Sequence, residues 1–325
     1  MPRIYHNDKT FEEVDHINPY LFEGPDILVT SRTTPLCRVP QMVYGSKPTD
    51  DGNLIIEADE YEDFIKREPK AKKYIRPLLG AREFIHNEKR FCLWLVDCPP
   101  DEIRKMPLVY ERVKKVREFR LKSKNAANQK KAETPYLFYH ISQPKTKYIL
   151  VPSVSSERRK YIPMDFVSPE IICTNLNLMI PDAQLWHFGI LTSRVHMIWM
   201  ATVCGRLRAD FRYSAQIVYN NFVWRSMQVR DYLALTESAQ KILDARKNYP
   251  NASLADLYDE ITMPKDLRAA HNENDKIVMK IYGYDKSMTE QDIAIDLLLS
   301  YEFVSNYKDN PPPPDEDDEE NFGDE

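Results

Sequence analysis

At 325 residues, with 42% hydrophobic and 29% charged side chains, the chain has apolar material for a real core and length for roughly two domains. Its 8 glycines stand at 24, 45, 52, 80, 189, 205, 283 and 323, no two of them within six residues. That spacing excludes a dinucleotide fingerprint, a P-loop and a glycine-paired S-adenosylmethionine loop, all of which need close glycines for the backbone to approach a cofactor. The 5 cysteines are odd in number and form no C-x-x-C, so neither a disulfide framework nor a zinc knuckle is indicated. Residues 1–9 are polar, and the most apolar run, 186–205, is interrupted by His187, Arg194 and His196. The expectation is a soluble, cytoplasmic protein with no membrane partner.

The formal charge of −5 averages unlike pieces. Residues 309–325 hold nine acidic groups and no basic one, and residues 226–308 hold ten basic against fourteen acidic. The other 225 residues hold 35 basic against 27 acidic, and within them 104–131 packs eleven Lys/Arg against Glu111 and Glu118. Charge this concentrated is the footprint of a phosphate-binding surface, although a solvated helix face gives the same count. Two smaller clusters, Arg158-Arg159-Lys160 and Arg206, Arg208 and Arg212, favour the first reading.

Along the chain, residues 1–44 mix short β-like runs with Pro19, Pro25, Pro35 and Pro40 and read as the trailing edge of something larger. From 45 to 225 the pattern is α/β. Strands are expected at 53–58, 91–96, 137–141, 148–151 and 171–180, and helices at 59–66, 70–79, 101–131 and 189–207. The long basic helix carries Met106, Val109, Val113, Val116 and Arg120 at three-to-four spacing, so one narrow face packs. Helices are expected at 226–247, 253–260, 264–282 and 289–304. Ser253 with Asp256 and Thr289 with Asp292 have the form of capping boxes, and Leu254, Leu257 and Ile261 share a face. The fold expected is thus α/β (α+β) over 45–225, then a small all-α domain over 226–308. Residues 309–325, proline-rich and then acidic, form a disordered tail.

Chemistry is harder to find. Asn18-Pro19-Tyr20 and Asn310-Pro311-Pro312-Pro313 only partly echo the N-P-P-Y loop of amino-methyltransferases. His187 and His196 read as core or helix-end histidines, and Glu57, Asp59, Glu60 and Glu62 as a solvated turn. No acid/base pair or activated nucleophile has a recognisable spacing. Catalytic residues, metal ligands and cofactor-binding residues are therefore expected to be absent, and whether the chain is an enzyme stays open.

Ordered words along the chain then become informative. Val39-Pro40-Gln41-Met42-Val43-Tyr44-Gly45, Pro48-Thr49-Asp50-Asp51-Gly52-Asn53, Gly80-Ala81-Arg82-Glu83-Phe84, Val154-Ser155-Ser156-Glu157-Arg158-Arg159, His187-Phe188-Gly189-Ile190-Leu191-Thr192-Ser193, Arg212-Tyr213-Ser214 and Val218-Tyr219-Asn220-Asn221-Phe222 are among them. Together with Leu254-Ala255-Asp256-Leu257-Tyr258-Asp259 they resemble the C-terminal part of MmeI-type restriction–modification enzymes, over roughly 15–305. The family usually reads N-x-F-P-W-P where this chain has Asn221-Phe222-Val223-Trp224-Arg225, which puts the exit from the recognition domain in doubt.

The resemblance implies a DNA target recognition domain at 45–225 and a helical C-terminal domain at 226–308, preceded by the edge of an adenine-N6 methyltransferase domain. S-adenosylmethionine is then expected only on a methyltransferase domain outside this chain, and a separate methyltransferase or nuclease chain becomes an implied partner. The alternative is a decayed or truncated fragment without independent activity. Single-stranded or RNA binding is disfavoured, because no aromatic platform interleaves the basic runs.

By the same resemblance, base readers fall where the family words enclose variable letters: Ser153, Asn175, Leu176, Arg208 and Asp210. Arginine can fork onto guanine O6 and N7, and aspartate can accept from cytosine N4. Spaced by two on an extended segment, Arg208 and Asp210 are expected to point the same way and read one G·C pair; a surface ion pair between them is the competing reading. Asn175 suits adenine and Leu176 a thymine methyl. Phosphate contacts are assigned to Arg158, Arg159, Lys160 and Arg212 with the hydroxyls of Ser155 and Ser156. Lys114, Lys115, Arg117 and Lys122 of the basic helix add non-specific attraction.

Overall fold

The structure is a computed structural model and describes residues 1–5 and 10–309; the acidic tail read at 309–325 falls outside them, apart from its first residue. Strands β1 (Arg3–Tyr5) and β2 (Phe11–Glu13) form a short antiparallel hairpin. Residues 14–42 contain no helix or strand, as four prolines favour. They nonetheless bury Val14, Ile27, Val29, Leu36 and Met42.

A first lobe follows β3 (Val43–Tyr44). It comprises β4 (Ile55–Glu57), α1 (Tyr61–Arg67), a 3-10 turn at Pro69–Tyr74, β5 (Ile75–Leu79), α2 (Ala81–His86), β6 (Arg90–Leu93), α3 (Pro100–Arg104), α4 (Pro107–Leu121) and α5 (Ala126–Lys130). Its core joins Leu54, Ile56, Leu78, Leu93, Val109 and Val116. The 70–79 helix expected from the sequence is a 3-10 turn and a strand instead. Pro77 is the reason, since it withdraws a donor and pushes Arg76 into extended backbone.

The single basic helix expected over 101–131 is three. Pro107 forces Met106 out of helical geometry (φ −120°, ψ 86°), and buried Glu68 accepts the Leu108 N–H at 2.9 Å to cap the new start. After Leu121, Asn125 begins α5 by accepting the Ala127 N–H at 2.8 Å. The apolar stripe is as expected, because Val109, Val113, Val116 and Arg120 are the buried residues of α4.

The second lobe contains β7 (Tyr148–Pro152), β8 (Val154–Ser155), β9 (Asp165–Val167), β11 (Asn177–Pro181), α6 (Leu185–Leu191), α7 (Arg194–Val203), β12 (Gly205–Leu207) and β13 (Asp210–Arg212), while β10 (Ile172–Cys173), between β9 and β11 in the chain, joins the first lobe beside β5. A π-helical turn at Ala215–Tyr219 leads to α8 (Val229–Lys247), α9 (Leu254–Leu257), α10 (Lys265–Tyr282) and α11 (Glu290–Asp309). Among the described residues no helix is long and apolar enough to cross a membrane. Ser193 divides the expected 189–207 helix by accepting the His196 N–H at the start of α7. Residues 137–141 contribute only one bridge, His140 with Lys47. Both capping boxes are present: Ser253 Oγ accepts from Asp256 N at 3.2 Å, and Thr289 Oγ1 from Asp292 N at 3.1 Å. The short α9 ends before Ile261, which is exposed and not on the face of Leu254 and Leu257.

Three sheets organise the α/β part. Strands β10-β5-β6-β4 form one, with β10 parallel to β5, and β3-β11-β7-β9 form an antiparallel second. Strands β12-β13-β8 form a small third. The helical region packs against the second sheet in a shared core, in which Ile149 and Val151 of β7 join Leu235, Ile242 and Leu267. Buried Arg246 ties the two by donating to Met164 O at 2.6 Å and Tyr258 Oη at 2.8 Å. Segment 27–40 is held in the same unit: Tyr301 Oη accepts the Thr30 N–H at 3.2 Å, and Asn220 Nδ2 donates to Arg32 O at 2.8 Å.

Candidate nucleic-acid interface

The expected base readers come from three separated stretches, and the fold ties these stretches to one another through Ser153. Ser153 lies between β7 and β8. Its Oγ donates to the Leu176 carbonyl, and its own carbonyl accepts the Tyr213 N–H at 2.8 Å. One residue thus joins the 174–177 turn to the segment leaving β13. The turn divides the expected 171–180 strand, since Asn177 N closes onto Thr174 O at 3.0 Å and sends β10 and β11 into different sheets. It is set from below by Gly45, where a Cβ would stand 2.2 Å from Thr174 O and 2.6 Å from Cys173 O. At its tip Leu176 is 60% exposed, an apolar side chain held out in water. The half-buried Asn175 makes no side-chain hydrogen bond among the described residues, while its N–H donates to Ser46 O at 3.0 Å.

Arg208 and Asp210 do not share an extended segment. Leu207 pairs with Asp210 across the β12–β13 hairpin, which leaves Arg208 and Ala209 as a two-residue turn. Arg208 has φ 58°, a left-handed conformation that a side-chain-bearing residue adopts at a cost and that hairpin turns normally give to glycine or asparagine. Strain of this kind collects at functional sites. No ion pair joins Arg208 to Asp210 among the described residues, so the competing surface-bridge reading finds no support in the geometry.

Register explains which side chains of this sheet reach solvent. Cross-strand partners share a face, so Phe211, Arg206 and Ser155 form one face and Asp210, Arg212, Leu207 and Val154 the other. Phe211 is buried, with the Arg206 guanidinium 4.1 Å from its ring centre. Ser155 is therefore 3% exposed and its hydroxyl is enclosed without a partner, so of the two expected phosphate-binding hydroxyls only Ser156 is presented. Ser156 Oγ accepts the Arg158 N–H at 3.4 Å, shaping the loop that turns Arg158 outward. Arg159 is half-buried; burial pulls its pKa down, while the charges of Asp210 and Asp259 pull it up. Arg158, Lys160, Arg208 and Arg212 are exposed and form no ion pair among the described residues.

The basic helix packs into a different core from this cluster. Its apolar face belongs to the first lobe, whereas Phe211 and Tyr213 belong to the second. Lys115, Arg117 and Lys122 are exposed, and Lys114 meets Glu111 at 3.6 Å. Arg120 is fully buried and donates to the carbonyls of Pro48, Thr49, Lys131, Thr134 and Leu137 at 2.8–3.1 Å. Arg112 donates to the carbonyls of Asn53 and Ile55 and pairs with Glu60.

The two histidines are core groups. His187 accepts the Gln184 N–H at 2.9 Å as a helix cap, and His196 Nε2 meets Tyr213 Oη at 2.8 Å beneath the hairpin. Burial pushes their pKa values down to about 4 and about 3. Sequence reasoning passed over Gly45 and Leu207; the first shows its importance only by close approach to Thr174, and the second only by strand register.

Residues 23–226 match the family "MmeI, target recognition domain", and residues 230–306 match "MmeI, C-terminal domain". A solved structure of the Type IIL restriction-modification enzyme MmeI in complex with DNA superposes with a TM-score of 0.89 and 44% identity, covering 91% of this chain and 40% of that one. DNA methyltransferase A of Bacillus subtilis (strain 168) is 38% identical over 295 residues, which is 91% of this chain and 33% of that protein. The chain therefore spans about a third to two fifths of the length of these relatives.

Proposed function

Because the chain belongs to the MmeI family of restriction–modification enzymes, we propose that it reads a specific sequence in double-stranded DNA and so sets where adenine-N6 methyl transfer of the family's kind takes place. The observation that carries this reading is the convergence of Ser153, the 174–177 turn and the 205–212 hairpin, flanked by Arg158, Lys160 and Arg212 without ion-pair partners among the described residues. The DNA bound to the MmeI relative points to the same ligand class.

In this reading phosphate contacts fix register and base-edge contacts carry sequence. Arg158, Ser156, Lys160 and Arg212 hold the backbone. Arg208, lifted on the strained hairpin turn, forks onto guanine O6 and N7. Asp210 on the outward strand face accepts from the N4 of the paired cytosine. Arg159, half-buried, feels the charge of Asp210 and stands behind the exposed basic side chains. Asn175 has an uncommitted amide for adenine, and Leu176 offers its methyl groups to thymine. Ser153 already donates its hydroxyl proton to Leu176 O, so it meets a base as an acceptor and positions Leu176 as well.

Selection of random duplexes by the purified chain at moderate salt tests the reading, and one enriched sequence is the expected result. Arg208→Ala should then cost about 1–3 kcal/mol and relax preference at one base pair. Arg158→Ala should weaken all sites alike and flatten the salt dependence. If no sequence is enriched at any salt, the chain is not a reader.

A further inference from the structure

Beyond the recognition cluster, Lys160 lines a cavity of about 520 Å³ between the start of α7, the solvent face of α10 and the turn that follows it. Five basic side chains line it: Lys160, Arg194, Lys276, Lys280 and Lys286. Two carboxylates share the lining, and both are engaged. Asp275 accepts the Arg194 N–H at 2.7 Å and the Tyr161 hydroxyl at 2.6 Å, and its burial favours the neutral acid. Asp285 accepts from Ser287 N at 2.7 Å and from its hydroxyl.

The lysines are not engaged in the same way. Lys276 and Lys280 stand one turn apart on the exposed side of α10, and Lys286 follows on the turn. Neither these three nor Lys160 forms an ion pair among the described residues, and Arg194 meets only the exposed Glu290 at 3.5 Å. Unpaired ammonium groups lining one concavity make an anion site. Lysine is a compact point charge that satisfies phosphate oxygens without distinguishing bases.

We propose that this cavity is a second phosphate-binding site for the DNA duplex, gripping the backbone outside the recognised base pairs and extending the DNA track onto the helical region. Continuity selects duplex DNA as the ligand. Lys160 directly follows Arg158 and Arg159 of the recognition loop and is also a wall of the cavity, so a backbone leaving the first cluster meets the second at that residue. The proposal rests on the reading of the chain as a DNA reader, and it adds affinity without adding sequence preference.

The test is salt-titrated binding of the whole chain to a duplex that carries its selected sequence and long flanks. The triple variant Lys276→Ala/Lys280→Ala/Lys286→Ala should lose roughly tenfold or more in affinity, and its log–log salt slope should shrink by up to about 2.7, or about 0.9 for each phosphate released. The rank order of preferred sequences should not change. Trimming the flank on one side should weaken the wild type and leave the triple variant indifferent. All three lysines are exposed, so an unaltered thermal transition is expected. A variant that binds as tightly as wild type, with the same slope, overturns the second site and leaves the recognition cluster standing. A wild type that selects no sequence overturns both.

Discussion

Segment 104–131 and the neighbouring segments 156–160 and 205–212 are all rich in arginine and lysine, yet the fold uses their charge in different ways. In the helix, Arg120 and Arg112 turn inward onto backbone carbonyls and hold the first lobe together, and Lys114 shares its charge with Glu111. In the hairpin and its neighbouring loop, Arg208, Arg212 and Arg158 stay in water without ion-pair partners among the described residues. A charge count measures what a segment contains. Availability depends on whether the guanidinium finds carbonyls or solvent, and that is a tertiary question.

The contrast can be broken most forcefully at Arg120. Arg120→Ala leaves five backbone carbonyls without the buried guanidinium that they share and should cost about 3 kcal/mol or more in chemical denaturation. A loss below about 1 kcal/mol would mean that water replaces the guanidinium and that the residue is no staple.

Acid should separate the lobes next. His187, His196 and His271 are all buried on the hairpin side, while the first lobe buries no histidine among the described residues. Unfolded imidazoles take up a proton near 6.5; burial lowers the folded values to about 4 at His187 and about 3 at His196, and depresses His271 too. The stability these neutral rings contribute is therefore whole above about pH 6.5 and drains as pH falls, at roughly 1.4 kcal/mol per pH unit for each ring. Hydrogen exchange between pH 6.5 and 4.5 should show protection lost first around α7 and the hairpin. Uniform loss across both lobes would contradict the assignment.

A smaller effect is expected at Gly45. Gly45→Ala pushes a methyl group into Thr174 O and should cost about 1–3 kcal/mol of stability. If Asn175 and Leu176 read bases as proposed, it should also blunt selection at their base pairs, as a repeat of the duplex selection would detect. The mildest change sharpens the helix side. Lys115→Ala with Arg117→Ala should leave stability and sequence preference intact and reduce the salt slope by at most about 1.8. An unchanged slope would make that face of α4 merely solvated.

Much of this was legible beforehand for local reasons. The valine stripe of α4, the boxes at Ser253 and Thr289 and the helical character of the C-terminal region depend on neighbours within one turn. The breaks at Met106 and Ser193 were also written locally, in Pro107 and in the serine that caps α7, but periodicity alone ran through both. The proposed base-reading residues stand out only through family words, and the extended segment expected through Arg208 and Asp210 is a hairpin turn instead.

By itself the sequence determined the α/β-then-helical order, the family and the apolar faces, because periodicity, capping and motif words act over a few residues. Only the tertiary structure decided that Ser153 bridges the 174–177 turn and the strand after the hairpin, that Ser155 faces inward while Arg212 faces out, and that Lys160 joins two basic surfaces. Those outcomes depend on strand register and on contacts between residues far apart in the chain, and shifting a strand by one position reverses every face it presents.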